Sequence, residues 1–248
     1  LEAIHAGHPM EFDQKMSGTL YGVGLGPGDP GLITVKSSRL ISQARVIAYP
    51  SLAGGESFAR SIAADLISPE AEEIVMDVPM TVARAPAQAA YDIGAKRIAA
   101  VLDRGEDVVC LCEGDPFFYG SFMYLYARLT ADYQVEVVPG VTSITTCAAR
   151  AGMPLAARNE RLTVLPGPLP TAELRTRIEG AESVAIMKVG RHLRKIRTVI
   201  SELGLTDKAA YIERASLPDE LVCPLAQAPE TAPYFSMIIL TKGADPWL

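Results

Sequence analysis

The sequence predicts an α/β protein built on a mostly parallel sheet and followed by a second α/β unit, and three observations carry that prediction. Apolar runs of strand length alternate with helix-periodic segments as far as about residue 151, the pattern of strands joined by crossover helices. The run Val108-Val109-Cys110-Leu111-Cys112 is apolar throughout and too short for a helix, as a strand buried on both faces should be. Two Gly-Asp-Pro turns, Gly28-Asp29-Pro30 and Gly114-Asp115-Pro116, each follow such a strand. That places both at the carboxyl ends of strands, where open α/β sheets hold their ligands.

Taken in order, residues 19–24 read as the opening strand. Residues 32–43 carry Leu32, Val35, Leu40 and Ile41 at helical spacing, with Thr34 near the start. Residues 44–49 are a second strand ended by Pro50, 58–66 a helix and 73–76 a short strand. A long alanine-rich helix at 87–102 closes at Arg104-Gly105 and leads into the buried strand 106–112. Residues 122–129 read as helix and 134–138 as strand, and Pro139-Gly140 turns the chain into a helix at 141–151. Beyond Gly152 the character changes. Strands are expected at 162–165, 183–188, 209–213 and 235–241, with the proline-dense turn Pro166-Gly167-Pro168-Leu169-Pro170 and a basic amphipathic helix at 193–203. The expected division is a leader at 1–18, disordered or foreign to the native protein, an N-terminal α/β domain at 19–151 and a C-terminal α/β domain at 152–248.

Bulk properties narrow the function. At 248 residues the chain is long enough to bury a substantial core. A net charge of −6 gives no basic field for phosphates, so no nucleic-acid partner is expected. No apolar run approaches the roughly 20 residues of a membrane span, and the first residues lack a signal-peptide pattern. No membrane partner is expected, and a cytoplasmic location is. Cys110, Cys112, Cys147 and Cys223 form no C-x-x-C or zinc spacing, which predicts reduced structural thiols and no metal. His5 and His8 fall in the leader.

The first glycine run does not fit a nucleotide loop. Gly22-Val23-Gly24-Leu25-Gly26-Pro27 puts proline where a dinucleotide fingerprint needs glycine, and Arg45-Val46-Ile47-Ala48-Tyr49 lacks the acidic residue expected about 20 positions on. No Walker lysine follows either. Glycines that admit backbone to a ligand, stiffened by proline, point to a cleft of another kind.

Gly24-Leu25-Gly26-Pro27-Gly28-Asp29-Pro30, Glu113-Gly114-Asp115-Pro116 and Pro139-Gly140-Val141-Thr142-Ser143 stand in the order found in tetrapyrrole methyltransferases, which use S-adenosylmethionine. Three further segments are Phe118-Tyr119-Gly120-Ser121, Met187-Lys188-Val189-Gly190-Arg191-His192 and Ala232-Pro233-Tyr234-Phe235-Ser236. With them the chain resembles members that act on a reduced macrocycle in cobalamin biosynthesis, over about residues 19–242. The resemblance implies two α/β domains with the cofactor S-adenosylmethionine folded in the cleft between them, a homodimer, and a small-molecule tetrapyrrole substrate methylated at a bridge carbon. It implies cofactor contacts at Pro27, Glu113, Gly114, Asp115, Phe118, Thr142, Ser143, Met187 and Ala215. Glu113 stands where many relatives have glycine, which favours backbone contact there over a side-chain role.

Physical chemistry adds readings of its own. An ionised Asp115 is acceptor-only, fit to hold a hydroxyl or amino group, or else a turn or cap residue. Thr142 and Ser143 suit a helix N-cap as well as a ligand, and Met187 alone reads as core filler. A macrocycle bearing eight carboxylates needs cations, and Arg158, Lys188, Arg191 and His192 are the expected contacts. Arg161, Arg194, Lys195 and Arg197 supply further positive charge, read individually for the last three as a solvated helix face. For a base removing the bridge-carbon proton, Tyr119, Glu113 and His192 are candidates, and the sequence does not choose among them. A non-catalytic tetrapyrrole carrier of the same fold is the rival reading, marked by substrate binding without methyl transfer.

Overall fold

The computed structural model describes residues 17–52, 55–79 and 84–243. His5, His8 and all but the last two residues of the expected leader lie outside them.

Five strands form the first sheet: β1 (Thr19–Gly24), β2 (Val46–Leu52), β3 (Glu72–Val78), β4 (Val108–Cys112) and β5 (Gln134–Val138). Their order is β3-β2-β4-β1-β5 and every pairing is parallel. All five residues of β4 are buried. Strand alternation splits their side chains between two faces. Val108 and Cys110 join Leu20 and Ala48 under α3 (Arg84–Leu102) and α4 (Phe122–Leu129), through Ile98, Phe122 and Leu125. Val109 and Leu111 join Val23 and Ile47 under α1 (Val35–Gln43) and α2 (Phe58–Ile62), through Ile41 and Ala59.

Among the boundaries that differ from expectation, two have clear local reasons. The first helix starts at Val35, because the Asp29 carboxylate accepts the Gly31 N–H at 2.8 Å and winds Pro30–Leu32 into a separate 3-10 turn, after which Thr34 caps α1. Strand β2 runs through Pro50 to Leu52 rather than ending there. Strand β4 pairs with β2 only through Ile47 and Ala48, so past that point one edge of β2 tolerates a residue without an N–H.

The second sheet is mixed. It contains β6 (Leu162–Pro166), β7 (Ser183–Met187), β8 (Ala209–Glu213), β9 (Leu221–Pro224) and β10 (Ser236–Thr241), in the order β6-β7-β10-β8-β9, and only β6 and β7 are parallel. Helices α6 (Thr171–Glu179) and α7 (Leu193–Glu202) cover one face, with Leu174, Ile178, Ile196 and Ile200 over Ile186, Tyr211 and Ile238. The other face is covered by α5 (Ser143–Ala151), whose Ile144 and Cys147 meet Ala185, Ile212 and Ile239. Helix α5 thus starts at the carboxyl edge of the first sheet and spends its apolar stripe on the second. The sequence reading omitted α6 and β9. Two buried residues among charges make α6 a faint signal, and β9 is a short edge strand. Among the described residues no helix is long and apolar enough to cross a membrane.

Candidate active site

The loops after β1, β4 and β5 meet at the carboxyl edge of the first sheet, beside the β1–β4 pairing. Gly26 and Gly114 exchange two backbone hydrogen bonds, Gly114 N–H to Gly26 O at 2.8 Å and Gly26 N–H to Gly114 O at 3.3 Å. Glycine at two neighbouring positions lets the three loops pack this closely. A Cβ on Gly24 would lie 2.5 Å from the Gly140 nitrogen and 2.7 Å from the Gly114 oxygen, and a Cβ on Gly140 would lie 2.1 Å from that same oxygen. Gly114 itself has φ +64°, and a Cβ there would meet nothing within 4 Å. It is a bare ledge facing open space.

Asp115 fastens the arrangement. One carboxylate oxygen accepts the Phe117 N–H at 2.9 Å and the other accepts the Gly140 N–H at 3.0 Å. The turn-residue reading therefore holds, with lone pairs remaining for a ligand. Thr142 caps α5, accepting the Thr145 N–H.

The second sheet supplies the facing wall of a cleft whose empty space, open solvent included, is about 940 Å³. All nine expected cofactor contacts line this one cleft: Pro27, Glu113, Gly114, Asp115 and Phe118 from the first half, Thr142 and Ser143 at the start of α5, and Met187 and Ala215 from the second half. Tyr119 and Lys188 line it too, with the Lys188 Nζ 5.1 Å from the Tyr119 ring centroid, across the gap. Arg158, Arg191 and His192 do not line it. Arg158 and Arg191 are exposed and His192 is half-buried. Burial, then Lys195 and Arg191, push the His192 imidazole below its ordinary pKa. Arg161 pairs with Glu182 at 2.7 Å, while Lys195 and Arg197 donate to the carbonyls of Leu169 and Ala228. Much of the basic run is thus spent on structure.

The sequence analysis named Tyr119 and Lys188 but not the strained backbone that they share with Arg214 and Ser216. The left-handed backbone of Tyr119, Lys188, Arg214 and Ser216, at φ +56°, +56°, +49° and +70°, is strained for residues bearing a Cβ. The first three line the cleft. Around Ser216 the strain is held by a clamp: the Arg214 guanidinium reaches Glu213 and Asp219 at 2.8 Å, and Glu220 accepts the Ser216 N–H at 2.6 Å while pairing with Arg150 of α5 at 2.6 Å. Burial pushes the Glu220 carboxyl up, but Arg150 and the Ser216 N–H outweigh it and leave the pKa below the usual range. The Ser216 hydroxyl accepts the Asp29 N–H at 3.1 Å, tying the clamp to the first loop. Phe58 and Phe235 also bridge the halves, with ring centroids 5.0 Å apart. Exposed aromatics in Ala232-Pro233-Tyr234-Phe235-Ser236 were the available signal for that contact.

Glu113 is exposed to solvent in the cleft, yet the protein packed around it desolvates its carboxyl in part and raises its pKa above the usual carboxylate range. Tyr234 is raised by burial and, secondarily, by Glu113.

Comparison with known proteins places this architecture. Residues 19–229 match the family model described as Tetrapyrrole (Corrin/Porphyrin) Methylases. The precorrin-2 C(20)-methyltransferase of a Sinorhizobium species is 40% identical over 237 residues, covering 92% of this chain and 97% of that protein. The cobalt-precorrin-2 C(20)-methyltransferase of Salmonella typhimurium is 31% identical over 231 residues, covering 92% and 98%. The cobalamin biosynthesis protein CobIJ of Mycobacterium tuberculosis is 43% identical over 235 residues, covering 91% of this chain but 46% of that protein. The chain therefore spans about half the length of that relative. Among solved structures, uroporphyrin-III C-methyl transferase from Thermus thermophilus complexed with S-adenyl homocysteine superposes with a TM-score of 0.66 at 26% identity, covering 91% of this chain and 98% of that one.

Proposed function

This chain belongs to the tetrapyrrole (corrin/porphyrin) methylase family, and from that premise we propose that it methylates precorrin-2 at C20, using S-adenosylmethionine and giving precorrin-3A and S-adenosylhomocysteine in cobalamin biosynthesis. The observation that carries the reading is the convergence of nine residues, scattered from Pro27 to Ala215 in sequence, on one cleft with a bare backbone ledge at Gly114.

The residues present fit the cofactor. A sulfonium needs close backbone approach and polar acceptors. The ledge at Gly114 admits backbone contact, Thr142 and Ser143 offer hydroxyls, and Asp115 retains acceptor capacity. Among the described residues, two cations line the wall: Arg214 is paired to Glu213 and Asp219, and Lys188 stands over Tyr119. When bound, S-adenosylmethionine supplies the electrophilic methyl. The chain's own task is to orient and to exclude water. Pro27 and Gly114 present main chain, Met187 and Ala215 close the facing side, and Phe58, Phe118 and Phe235 shed solvent from the mouth. Among the expected substrate contacts, placement supports Lys188, which lines the cleft. Arg158, Arg191 and His192 have no such support.

A second reading, methylation of the cobalt-loaded macrocycle, is favoured by the Salmonella relative. Homodimer assembly belongs to the same proposal and finds support in the exposed Ile93, Phe117, Met123 and Tyr124 of the α3–α4 side. A cytoplasmic location is supported by four free cysteines. A division of the chain at 151/152 is supported by the separation of the two sheets, although α5 packs across it. The deciding experiment is mass spectrometry of the product formed from precorrin-2, metal-free or with cobalt, and S-adenosylmethionine labelled in its methyl group. One labelled methyl at C20 is expected. Tetrapyrrole binding with no label transferred would favour the carrier.

A further inference from the structure

A second hollow opens beside the cleft, over the carboxyl ends of β2, β3 and β4, lined by Ser51, Leu52, Val78, Cys112 and Ser121 among others. Among the described residues, five line both hollows: Phe58, Glu113, Tyr119, Tyr234 and Phe235. Four are aromatic, and Glu113 carries the one carboxyl of that shared wall. If one hollow holds the methyl donor and the other the macrocycle, the reacting carbon and the methyl must meet at this wall. Resting on the methyl-transfer reading above, we propose that Glu113 is a catalytic residue, the base that takes the proton from the bridge carbon as that carbon is methylated.

Three features carry the assignment. Among the described residues no hydrogen bond or ion pair engages the Glu113 carboxyl, whereas both oxygens of neighbouring Asp115 are committed to backbone N–H groups. The rival candidates are worse placed. His192 lines neither hollow, and the Tyr119 ring lies beneath Lys188. The surroundings also suit a base that must work near neutral pH. The titratable groups that share a hollow with Glu113 include Cys112, Asp115 and Tyr119 from its own segment, Tyr234, Lys188 and Arg214 from the second half, and Glu56 from the adjoining hollow. Partial desolvation lifts its carboxyl above the ordinary range, the direction that favours a base working near neutral pH.

The chemistry balances. An electron pair of the macrocycle forms the new carbon–carbon bond, and the methyl–sulfur bond breaks with its pair left on sulfur. The bridge carbon then bears both methyl and hydrogen, and the macrocycle holds the positive charge. Loss of that hydrogen as a proton to the Glu113 carboxylate restores the neutral conjugated system, and the carboxylic acid returns the proton to water.

The test compares wild type with Glu113→Gln and Glu113→Ala. Calorimetry should show S-adenosylhomocysteine affinity within a factor of about 3 of wild type in both variants. Single-turnover methyl transfer should slow by about 100-fold or more. The wild-type rate should rise with pH through the Glu113 ionisation, that limb should be missing in Glu113→Gln, and formate should restore turnover to Glu113→Ala. Independently of turnover, carboxyl-carbon NMR should show one glutamate titrating above the ordinary range in wild type and absent from Glu113→Gln. Transfer by Glu113→Gln at a near-wild-type rate, no rescue by formate, or affinity falling in step with rate would each overturn the proposal. Wild-type protein that binds no S-adenosylhomocysteine would instead sink the methyl-transfer reading, and this assignment with it.

Discussion

At Glu113 an exposed carboxyl is partly desolvated by the protein around it, and the sign of its effect on stability follows. Desolvation raises its pKa in the folded protein above the unfolded value. The stability tied to its protonated form is fully present below the unfolded pKa and is lost as pH rises through the folded one. Glu113→Gln should therefore melt at a higher temperature than wild type at pH 7 and at the same temperature once pH falls below the ordinary carboxylate range. Thermal melts across that interval check this. A variant more stable and less active would mark a residue selected for chemistry. The sequence made Glu113 visible as a departure beside Gly-Asp-Pro, but the reason to prefer it over Tyr119 and His192 lies in which side chains share a wall.

Among the elements, the loops after β1, β4 and β5 act as one unit, because Gly24, Gly114 and Gly140 leave no space between them. The glycines are not equivalent. Gly24→Ala drives a Cβ into the backbone of Gly140 and Gly114, and should destabilise the protein by about 1–3 kcal/mol or more through overpacking. Gly114→Ala meets open space and carries mainly the left-handed strain of about 1–2 kcal/mol, yet should weaken S-adenosylhomocysteine binding by blocking the ledge. Denaturation and calorimetry on both variants separate the two effects. The strands bearing these loops were readable because β1 and β4 are short and mainly apolar, β5 carries Val135, Val137 and Val138 in a short run, and Gly or Pro follows closely on each. By contrast α6 hides its two buried side chains among charges, and β9 gains its pairing only from β8. Neither leaves a periodic trace long enough to read.

In the whole molecule the cleft exists because two sheets face one another, and a few contacts hold that relation: Phe58 on Phe235, Lys188 over Tyr119, and the Asp29 N–H on Ser216. A double-mutant cycle of Phe58→Leu and Phe235→Leu should give a coupling of about 0.5–1.5 kcal/mol in unfolding free energy. A coupling near zero would mean that the halves are positioned by other contacts. Parallel pairing in the first sheet, its buried central strand and the glycine turns at its carboxyl edge were determined by the sequence alone, since each is set by residues close in the chain or by the period of its apolar positions. The seating of α5 on the second sheet, the antiparallel pairing of β10 with β7 and β8, the Arg150–Glu220–Ser216 clamp and the wall shared by the two hollows were decided only by tertiary structure. All of these join residues distant in sequence, and no local spacing encodes which distant side chains will be brought to face each other.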